Sequence, residues 1–161
     1  MLLRAETKED ITGIRRVVEA AFGQKPEAEL IDRLREDGHS VISLVAVDAG
    51  EVVGHVLFSV ITAPFRALGL APVSVMPHRQ RAGIGSRLVR AGLECVKEDS
   101  WQGVFVLGAP EFYERFGFSP ALARNFESPY AGPHFMLLSF HGDWLTTEGI
   151  VSYAPAFAAL E

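Results

Sequence analysis

The stretch from Leu68 to Leu88 most constrains what this chain can fold into. It begins as an apolar run, passes through a loop that contains Gly83-Ile-Gly85, and continues as an amphipathic helix. Pro72 lies inside the apolar run, where it removes a ladder donor and forces a bulge or a strand edge. The glycines let backbone approach a ligand closely, and the helix start presents unpaired N–H groups and a positive dipole end. The stretch therefore predicts an anion site, for which phosphate is the usual ligand.

Basic side chains are concentrated in the same window. They are His78, Arg79, Arg81, Arg87 and Arg90. Because the whole chain has a formal net charge of −5, this local patch points to a specific anionic ligand and argues against general affinity for nucleic acid. The alternative is an ordinary solvated helix start that carries surface arginines.

Several common sites do not match the sequence. The glycine loop lacks the following Lys-Ser/Thr pair of a P-loop. Leu88 occupies the position where a dinucleotide-binding fingerprint requires a third small residue. The histidines have no metal-ligand spacing, so no metal site is predicted. The Gly-x-Ser-x-Gly elbow of an α/β-hydrolase is also missing.

Length and composition favour one domain over residues 1–161 with a sizeable core, since 48% of the residues are hydrophobic. Charges from Arg4 onward interrupt any apolar segment of a signal peptide. The longest apolar run, Val52 to Ile61, is too short to span a bilayer, so no membrane association is predicted. Cys95 is the only cysteine. It excludes a disulfide framework and makes a reducing cytoplasm the expected location.

Hydrophobic periodicity predicts the order β-α-α-β-β-β-α-β-α-β-β. The predicted elements are a strand over 1–6, helices over Ile11–Phe22 and Pro26–Gly38, strands over Val41–Val47, Glu51–Thr62 and Ala67–Val75, a helix over Gly83–Asp99, a strand over Gly103–Gly108, a short helix over Glu111–Phe116, strands over Ser119–Ala123 and His134–Phe140, and a further strand over Gly149–Tyr153. This order predicts an α+β fold of three layers, in which helices cover both faces of a mixed, largely antiparallel central sheet.

The strand over Glu51–Thr62 supports that layering, because both of its alternating sets of side chains are apolar. One set is Val52, Val56, Phe58 and Val60, and the other is Val53, Leu57 and Ile61. Gly54 suggests a bend or a close approach of backbone. On the helix over Gly83–Asp99, Cys95 follows the apolar face, so core packing is favoured over a nucleophilic role.

Three motifs, in order along the chain, resemble those of the GNAT superfamily of N-acetyltransferases. Val73-Ser-Val-Met-Pro77 resembles the bulged fourth strand of that family, Gln80-Arg-Ala-Gly-Ile-Gly85 resembles its Q/R-x-x-G-x-G/A loop, and Tyr113-Glu-Arg-Phe-Gly-Phe118 resembles its Y-x-x-x-G-F element. The resemblance implies a fold in which the fourth and fifth strands splay apart and open a slot for the pantetheine arm of acetyl-CoA. Pro72 and the break at Ala109-Pro110 are the positions where we expect this splay.

The resemblance further implies that acetyl-CoA is the acetyl donor. The backbone of Val73, Ser74 and Val75 is expected to pair with the pantetheine amides, and the N–H of Val75 to polarise the thioester carbonyl. The loop and helix start are expected to hold the pyrophosphate, with added charge from Arg79 and Arg81. The loop residues implied in this contact are Gln80, Arg81, Ala82, Gly83, Ile84, Gly85 and Ser86.

For catalysis, the resemblance implies direct attack of a primary amine on the thioester in a ternary complex. Tyr113 matches the general-acid position of the family, and a phenol suits protonation of a leaving thiolate. Its alternative role is structural packing. The strand over 67–75 has no acid, although some family members use a glutamate there as the general base. The candidates for the general base are Glu29, His55 and Glu111, and a chain of water molecules is the alternative. For His55, a hydrogen-bonded structural role is favoured.

Three functions remain open from the sequence. The first is an acetyl-CoA-dependent N-acetyltransferase that acts on an amine of a small molecule, peptide or protein. The second is a non-catalytic acyl-CoA sensor or regulatory domain, and the third is an enzyme that binds a dinucleotide at the same helix start. The charged face of the helix from Pro26 is either solvated or a wall of the acceptor site. The apolar tail over Pro155–Leu160 packs on its own domain or on a neighbour, which leaves a homodimer open.

Overall fold

The computed structural model describes residues 1–140 and 148–160, and its centre is a seven-stranded mixed sheet. The strands are β1 Leu2–Ala5, β2 Ser40–Asp48, β3 Glu51–Thr62, β4 Ala67–Val75, β5 Gly103–Leu107, β6 Phe126–Glu127, β7 Phe135–Ser139, β8 Gly149–Ile150 and β9 Ser152–Tyr153. The helices are α1 Ile11–Phe22, α2 Pro26–Glu36, α3 Ile84–Glu98, α4 Pro110–Tyr113 and α5 Pro120–Ala123.

The strand order in the sheet is β1-β2-β3-β4-β5-β7, and β9 pairs with the end of β3. Neighbouring strands from β1 to β4 are antiparallel, β4 and β5 are parallel, and β5 and β7 are antiparallel again. The predicted mixed, largely antiparallel sheet is therefore confirmed. The short strands β6 and β8 form a separate parallel pair.

Helices cover both faces of this sheet. On one face, α1 and α2 bury Ile14, Val18 and Leu34 against β2 and β3. On the other face, α3 buries Leu88 and Val96 in a second core. The two apolar faces of β3 that the sequence shows are thus both used, as predicted. The end of the sheet carries a third cluster, in which the rings of Phe65, Phe105, Phe126 and Phe135 pack together.

The prediction of which side chains share a face of β3 was wrong for the first residues of the strand. Ala46 pairs with Gly54 but Val47 pairs with Val52, so one extra residue is inserted in β3. This bulge reverses the alternation, and Val53 joins the core of α3 while Val52 joins the core of α1 and α2. The close approach expected at Gly54 is confirmed, since a Cβ there would lie 2.9 Å from Leu88 Cδ1.

The bulge predicted at Pro72 is also confirmed. Val56 pairs with Val73 and Phe58 pairs with Leu70, so Ala71 and Pro72 together stand opposite one residue of β3. β4 pairs with β5 only from Ala67–Gly103 to Leu70–Val106. Beyond that point β4 continues to Val75, while β5 ends and the chain turns into α4. The two strands therefore splay apart.

Two predictions for the later part of the chain were wrong. Ser119–Ala123 is not a strand: Ser119 makes a single bridge to Leu137, and its hydroxyl then accepts from the N–H of Leu122 at the start of α5. Serine followed by Pro120 is a helix start, since serine caps the first turn and proline suits its first position. Gly149–Tyr153 is divided between β8 and β9, which pair with different strands.

The apolar tail packs on its own domain. A 3-10 turn over Pro155–Leu160 follows β9, and it buries Ala156 and Phe157 in the core of α1 and α2. This contact settles the open question of where the tail packs. Leu160 remains exposed, and the pairing of two copies stays a prediction.

The packing of α3 on β3 allows a test with two glycines of the same helix. A Cβ at Gly92 would lie 2.2 Å from Phe58 Cε1, whereas one at Gly85 would meet nothing closer than 3.7 Å. We expect Gly92→Ala to lower the free energy of unfolding by about 1–3 kcal/mol, because the core must shift to admit the methyl group. Gly85→Ala is the matched control, with a change within about 1 kcal/mol. Urea unfolding without ligand measures both, and equal effects would contradict the packing described here.

Candidate functional site

A cavity of about 540 Å³ opens where β4 and β5 separate. The splayed strands line it with Leu70 to Val73 on one side and Leu107 to Ala109 on the other. Tyr113 of α4 and residues from α1, α2, the segment before β7, β9 and the C-terminal tail complete the lining. The split in the sheet thus produces a slot with one wall of exposed strand backbone.

The edge of β4 that β5 leaves unpaired begins at this slot and continues to the end of the strand. The N–H of Met76 donates to the carbonyl of Val53 at 2.9 Å, so Met76 belongs to a hydrogen-bonded pair with β3. Because such pairs alternate along antiparallel strands, Ser74 also directs its backbone to β3. Val73, which lines the cavity, and Val75, which lies beyond the lining, direct theirs to the edge that β5 leaves unpaired. Among the three predicted residues, Val73 and Val75 therefore offer backbone groups to a ligand. The side chain of Ser74 is buried.

The glycine loop follows β4 and leads into α3. Arg81 and Gly83 have φ values of 65° and 85°, and this left-handed backbone suits glycine but is uncommon for arginine. The first helical bond runs from the N–H of Arg87 to the carbonyl of Gly83 at 3.1 Å. The N–H groups between them therefore point out of the helix end. This is the geometry of an anion site.

Gln80 has a bracing role in this structure. Its Nε2 donates to the carbonyl of Val75 at 3.0 Å, which ties the loop to the end of β4. The hydrogen bond holds the slot and the helix start in a fixed relation. It also occupies the carbonyl of Val75 and leaves the N–H of that residue for a ligand.

The predicted arginines differ in their surroundings. Arg79 forms an ion pair with Asp48, with 2.9 Å between Nη2 and Oδ2, so its charge is partly neutralised. Arg81 is exposed and has no ion-pair partner within residues 1–140 and 148–160. Its guanidinium is thus the more available of the two for a phosphate.

Arg115 also belongs to the site and was not among the residues predicted from the sequence. Its Nη1 lies 3.4 Å from Ser86 Oγ at the start of α3, and its guanidinium lies over the ring of Phe112, 4.9 Å from the centroid. Arg90 lies similarly over Phe116. Arg115 is inside the Tyr113–Phe118 motif. A basic residue within that motif is the sequence signal that would have identified Arg115 as a candidate site residue.

Tyr113 lines the cavity at the end of α4. Its ring packs so closely on Gly108 that a Cβ there would lie 2.5 Å from Cε2, and it meets the ring of Phe112 edge-on at 4.9 Å. Burial raises the pKa of its phenol to about 12. Tyr113 is therefore a protonated hydrogen-bond donor across the whole range of working pH.

The candidate bases do not reach this cavity. His55 is fully buried on the face that carries α1 and α2. Its Nε2 lies 2.8 Å from Ser43 Oγ and 3.8 Å from Glu6 Oε1, and burial lowers its pKa. The hydrogen-bonded structural role that was favoured for His55 fits this setting. Glu29 and Glu111 are exposed and are not part of the cavity lining, whereas Glu27 is.

Two acids that organise the N-terminal strand have lowered pKa values. Burial works to raise the pKa of Glu6, but contacts with His55, Arg35 and Ser43 outweigh it and bring the value to about 2. The hydrogen bond from Arg4 to Asp10 lowers the pKa of that carboxyl to about 2. A threonine with an acid three residues later at a helix start, as in Thr7 and Asp10, predicts a capping box. The structure confirms it, since Asp10 accepts from the N–H of Thr7 at 2.7 Å.

These shifts predict a loss of stability in acid. Since the folded pKa of Glu6 lies below its ordinary value of 4.5, the unfolded chain binds more protons between about pH 4.5 and 2, and stability falls as the pH drops through that window. We expect Glu6→Gln to unfold more easily at pH 7 and the difference from the parent protein to shrink toward pH 2. Glu9→Gln, which removes an exposed acid nearby, is the control. A difference that stays constant with pH would mean a steric effect.

Cys95 is partly buried against the core of α3, and burial raises the pKa of its thiol, as suits a packing residue. Within the described ranges, no three His, Cys, Asp or Glu side chains come together as ligands for a metal ion. None of the helices seen in those ranges combines the length and the continuous apolar character needed to cross a bilayer.

Comparison with known proteins assigns the family. The family model described as acetyltransferase (GNAT) domain matches residues 3–121. The chain belongs to the GNAT family of acetyltransferases. The resemblance seen in the three sequence motifs is confirmed, and with it the fold class.

Relatives within the GNAT family support the assignment over nearly the whole chain. The chain is 35% identical to the uncharacterized N-acetyltransferase YhbS of Escherichia coli K12, with 98% of each chain covered. It is 38% identical to the uncharacterized N-acetyltransferase YjhQ of the same organism, over 78% of this chain and 74% of that one.

Two solved GNAT structures share the fold closely. The structure of Escherichia coli YhbS in complex with CoA has a TM-score of 0.91 at 32% identity, covering 98% of this chain and 91% of that one. A GNAT family acetyltransferase from Brucella melitensis in complex with acetyl-CoA has a TM-score of 0.84 at 36% identity, covering 97% of each chain.

Proposed function

We propose that this protein transfers the acetyl group of acetyl-CoA to a primary amine by direct attack within a ternary complex. One observation supports this most: β4 leaves β5 just before Val73 and Val75, and the strand then leads into an N–H-rich helix start. An extended amide-bearing arm and a pyrophosphate need this pair of features side by side. The complexes of the two relatives with CoA and acetyl-CoA favour the same ligand.

The residues available for binding fit such a ligand. Val73 offers its N–H and C=O groups to the amides of the pantetheine arm, and Val75 offers its N–H, since its carbonyl accepts from Gln80. The N–H groups from Arg81 to Ser86 receive the pyrophosphate, since the N–H of Gln80 already donates to the carbonyl of Pro77. Arg81 and Arg115 add positive charge. In this proposal the backbone of Ser74 stays in the ladder to β3, and Arg79 acts through its partner Asp48 to hold the loop.

The residues available for chemistry are few, so positioning is the main contribution. Binding holds the amine nitrogen close to the thioester carbon, and such orientation supplies much of the rate. The N–H of Val75 donates to the carbonyl oxygen as negative charge develops there. Tyr113 donates to the sulfur that leaves as coenzyme A. The single cysteine of the chain supports a reducing cytoplasm as the place of action.

Ligand binding is tested by thermal unfolding with acetyl-CoA, CoA, NAD and ATP, each in large excess. A ligand at about 100 times its dissociation constant adds about 2.7 kcal/mol of stability. We expect a rise in midpoint with both CoA forms and none with NAD or ATP.

Charge reversal in the loop separates specific binding from a general salt effect. Arg81→Glu is expected to remove most of the rise in midpoint, because it places a negative charge beside the phosphates. Arg16→Glu makes the same change on the exposed face of α1 and is the control. If neither CoA form stabilises the parent protein, the proposed donor is wrong.

The role of Tyr113 is tested with Tyr113→Phe. We expect kcat to fall about 10²–10⁴-fold, as for loss of a general acid, with the dissociation constant of CoA unchanged. Because the pKa of Tyr113 is raised to about 12, the phenol keeps its proton, and the parent activity should not decline on the alkaline side below about pH 11. A decline centred near pH 9 that persists in Tyr113→Phe would assign the acid to another group.

A further inference from the structure

The cavity has more lining than an extended arm between two strands requires. Beyond the splayed strands, it is lined by side chains from the end of α1, from α2, from the segment before β7, and from β9 and the tail. We call this set the acceptor wall: Phe22, Glu27, Tyr130, Tyr153, Phe157 and Leu160. Its composition differs from that of an ordinary protein surface in three respects.

First, the acceptor wall is apolar and aromatic. The ring centroid of Tyr153 lies 5.5 Å from that of Tyr130 and 5.1 Å from that of Phe157, so the three rings form one continuous surface. Phe22 and Leu160 are 42% and 40% exposed although both are large and apolar. Exposed apolar side chains that adjoin an aromatic surface mark a place where an apolar ligand body is bound.

Second, Glu27 is the only charged side chain among the lining residues that the structure describes. Both of its carboxylate oxygens accept from Gln24 Nε2 at 3.0 Å. Within residues 1–140 and 148–160 it has no ion pair with a lysine, arginine or histidine. A carboxylate with no cationic partner, placed beside an apolar cavity, attracts an ammonium group, because low polarity nearby strengthens the interaction.

Third, the hydroxyl of Tyr153 is buried and has no hydrogen-bond partner in the described part of the chain. Buried polar groups without partners are uncommon, because each loses its hydrogen bonds to water. Here the tyrosine belongs to the lining of a cavity, so a ligand is a natural partner for its oxygen. A bound ligand that carries a donor group can supply that partner.

We propose that the acceptor is a primary amine on a short apolar body that contains a ring, of the arylalkylamine class. Glu27 pairs with the ammonium, and the aromatic wall holds the ring. This inference rests on the proposed function and adds the substrate class. In the transfer, the N–C bond forms and the C–S bond breaks; of the two protons that the ammonium loses, one ends on the thiol of coenzyme A and one passes to water.

An amine panel tests the substrate class. With saturating acetyl-CoA, initial rates are measured by mass spectrometry of the acetylated products for 2-phenylethylamine, spermidine and a lysine peptide with a blocked N-terminus. We expect kcat/KM for 2-phenylethylamine to exceed both others by at least about 10-fold, since ring burial accounts for such a factor. Preference for spermidine or the peptide would overturn the inference and leave the proposed function intact.

Two variants test the part that Glu27 plays. Glu27→Gln is expected to raise KM for 2-phenylethylamine about 10–100-fold, as for the loss of a charge-assisted contact. Inhibition by 2-phenylethanol, which has the same ring but no charge, should not change. Glu29→Gln, in the same turn of α2 but outside the cavity lining, is the matched control and should behave as the parent protein. Equal effects of the two variants would overturn the role of Glu27.

Calorimetry separates this inference from the proposed function. Titration of 2-phenylethylamine into the protein saturated with CoA, which cannot transfer an acetyl group, measures acceptor binding alone. Binding that Glu27→Gln weakens and Tyr153→Phe weakens less supports the acceptor wall. Stabilisation by CoA without any binding of 2-phenylethylamine overturns the inference only, whereas absence of stabilisation by CoA removes the proposed function beneath it.

Discussion

The separation of β4 from β5 after the Leu70–Val106 pair is the constraint on which the rest of the site depends. A sheet that stayed paired would satisfy the backbone groups of Val73 and Val75 internally and leave no room for a ligand. Two local features produce the separation. β4 carries an extra residue at Ala71-Pro72, and proline cannot donate to a neighbouring strand. On the other strand, Pro110 starts a helix soon after β5 ends.

The separation also explains why the functional groups lie together. Once β4 is free of β5, its end directs the chain into the glycine loop, and the contact of Gln80 with Val75 keeps the loop beside the slot. On the β5 side, α4 begins at once and brings Tyr113 onto the opposite wall. Both walls are supported by packing: α3 lies on β3 at Gly54 and Gly92, where glycine alone leaves enough space. The two halves of the site are therefore fixed by the same core.

Much of this arrangement could be predicted from the sequence. Prediction succeeded where the residue types themselves determine the local structure. These places are the glycine loop, the proline in β4, the Tyr113 motif, and the capping box of Thr7 and Asp10. The direction of the side chains was harder to predict. The bulge in β3 reverses the alternation, and an apolar run contains no sequence signal for such a bulge. Ser119–Ala123 was predicted as a strand, although Ser-Pro is also a helix start. The partner of Arg79 and the position of Arg115 beside Ser86 depend on tertiary contacts that spacing alone does not reveal.

The missing acid on β4 has a structural explanation. The side chains of Val73 and Val75 lie near the position that a Cβ on Gly85 would take, at 3.9 and 3.7 Å, so they support the start of α3. A glutamate at either position would place a carboxylate beside the N–H groups and arginines that we propose as the phosphate site. It would compete with the anion for the same donors. An acid on α2 avoids that conflict, since Glu27 lines the cavity from a different element and no residue of the glycine loop belongs to that lining. The division of charge, positive at the loop and negative at the acceptor wall, is the one that the proposed anionic donor and the proposed amine acceptor require.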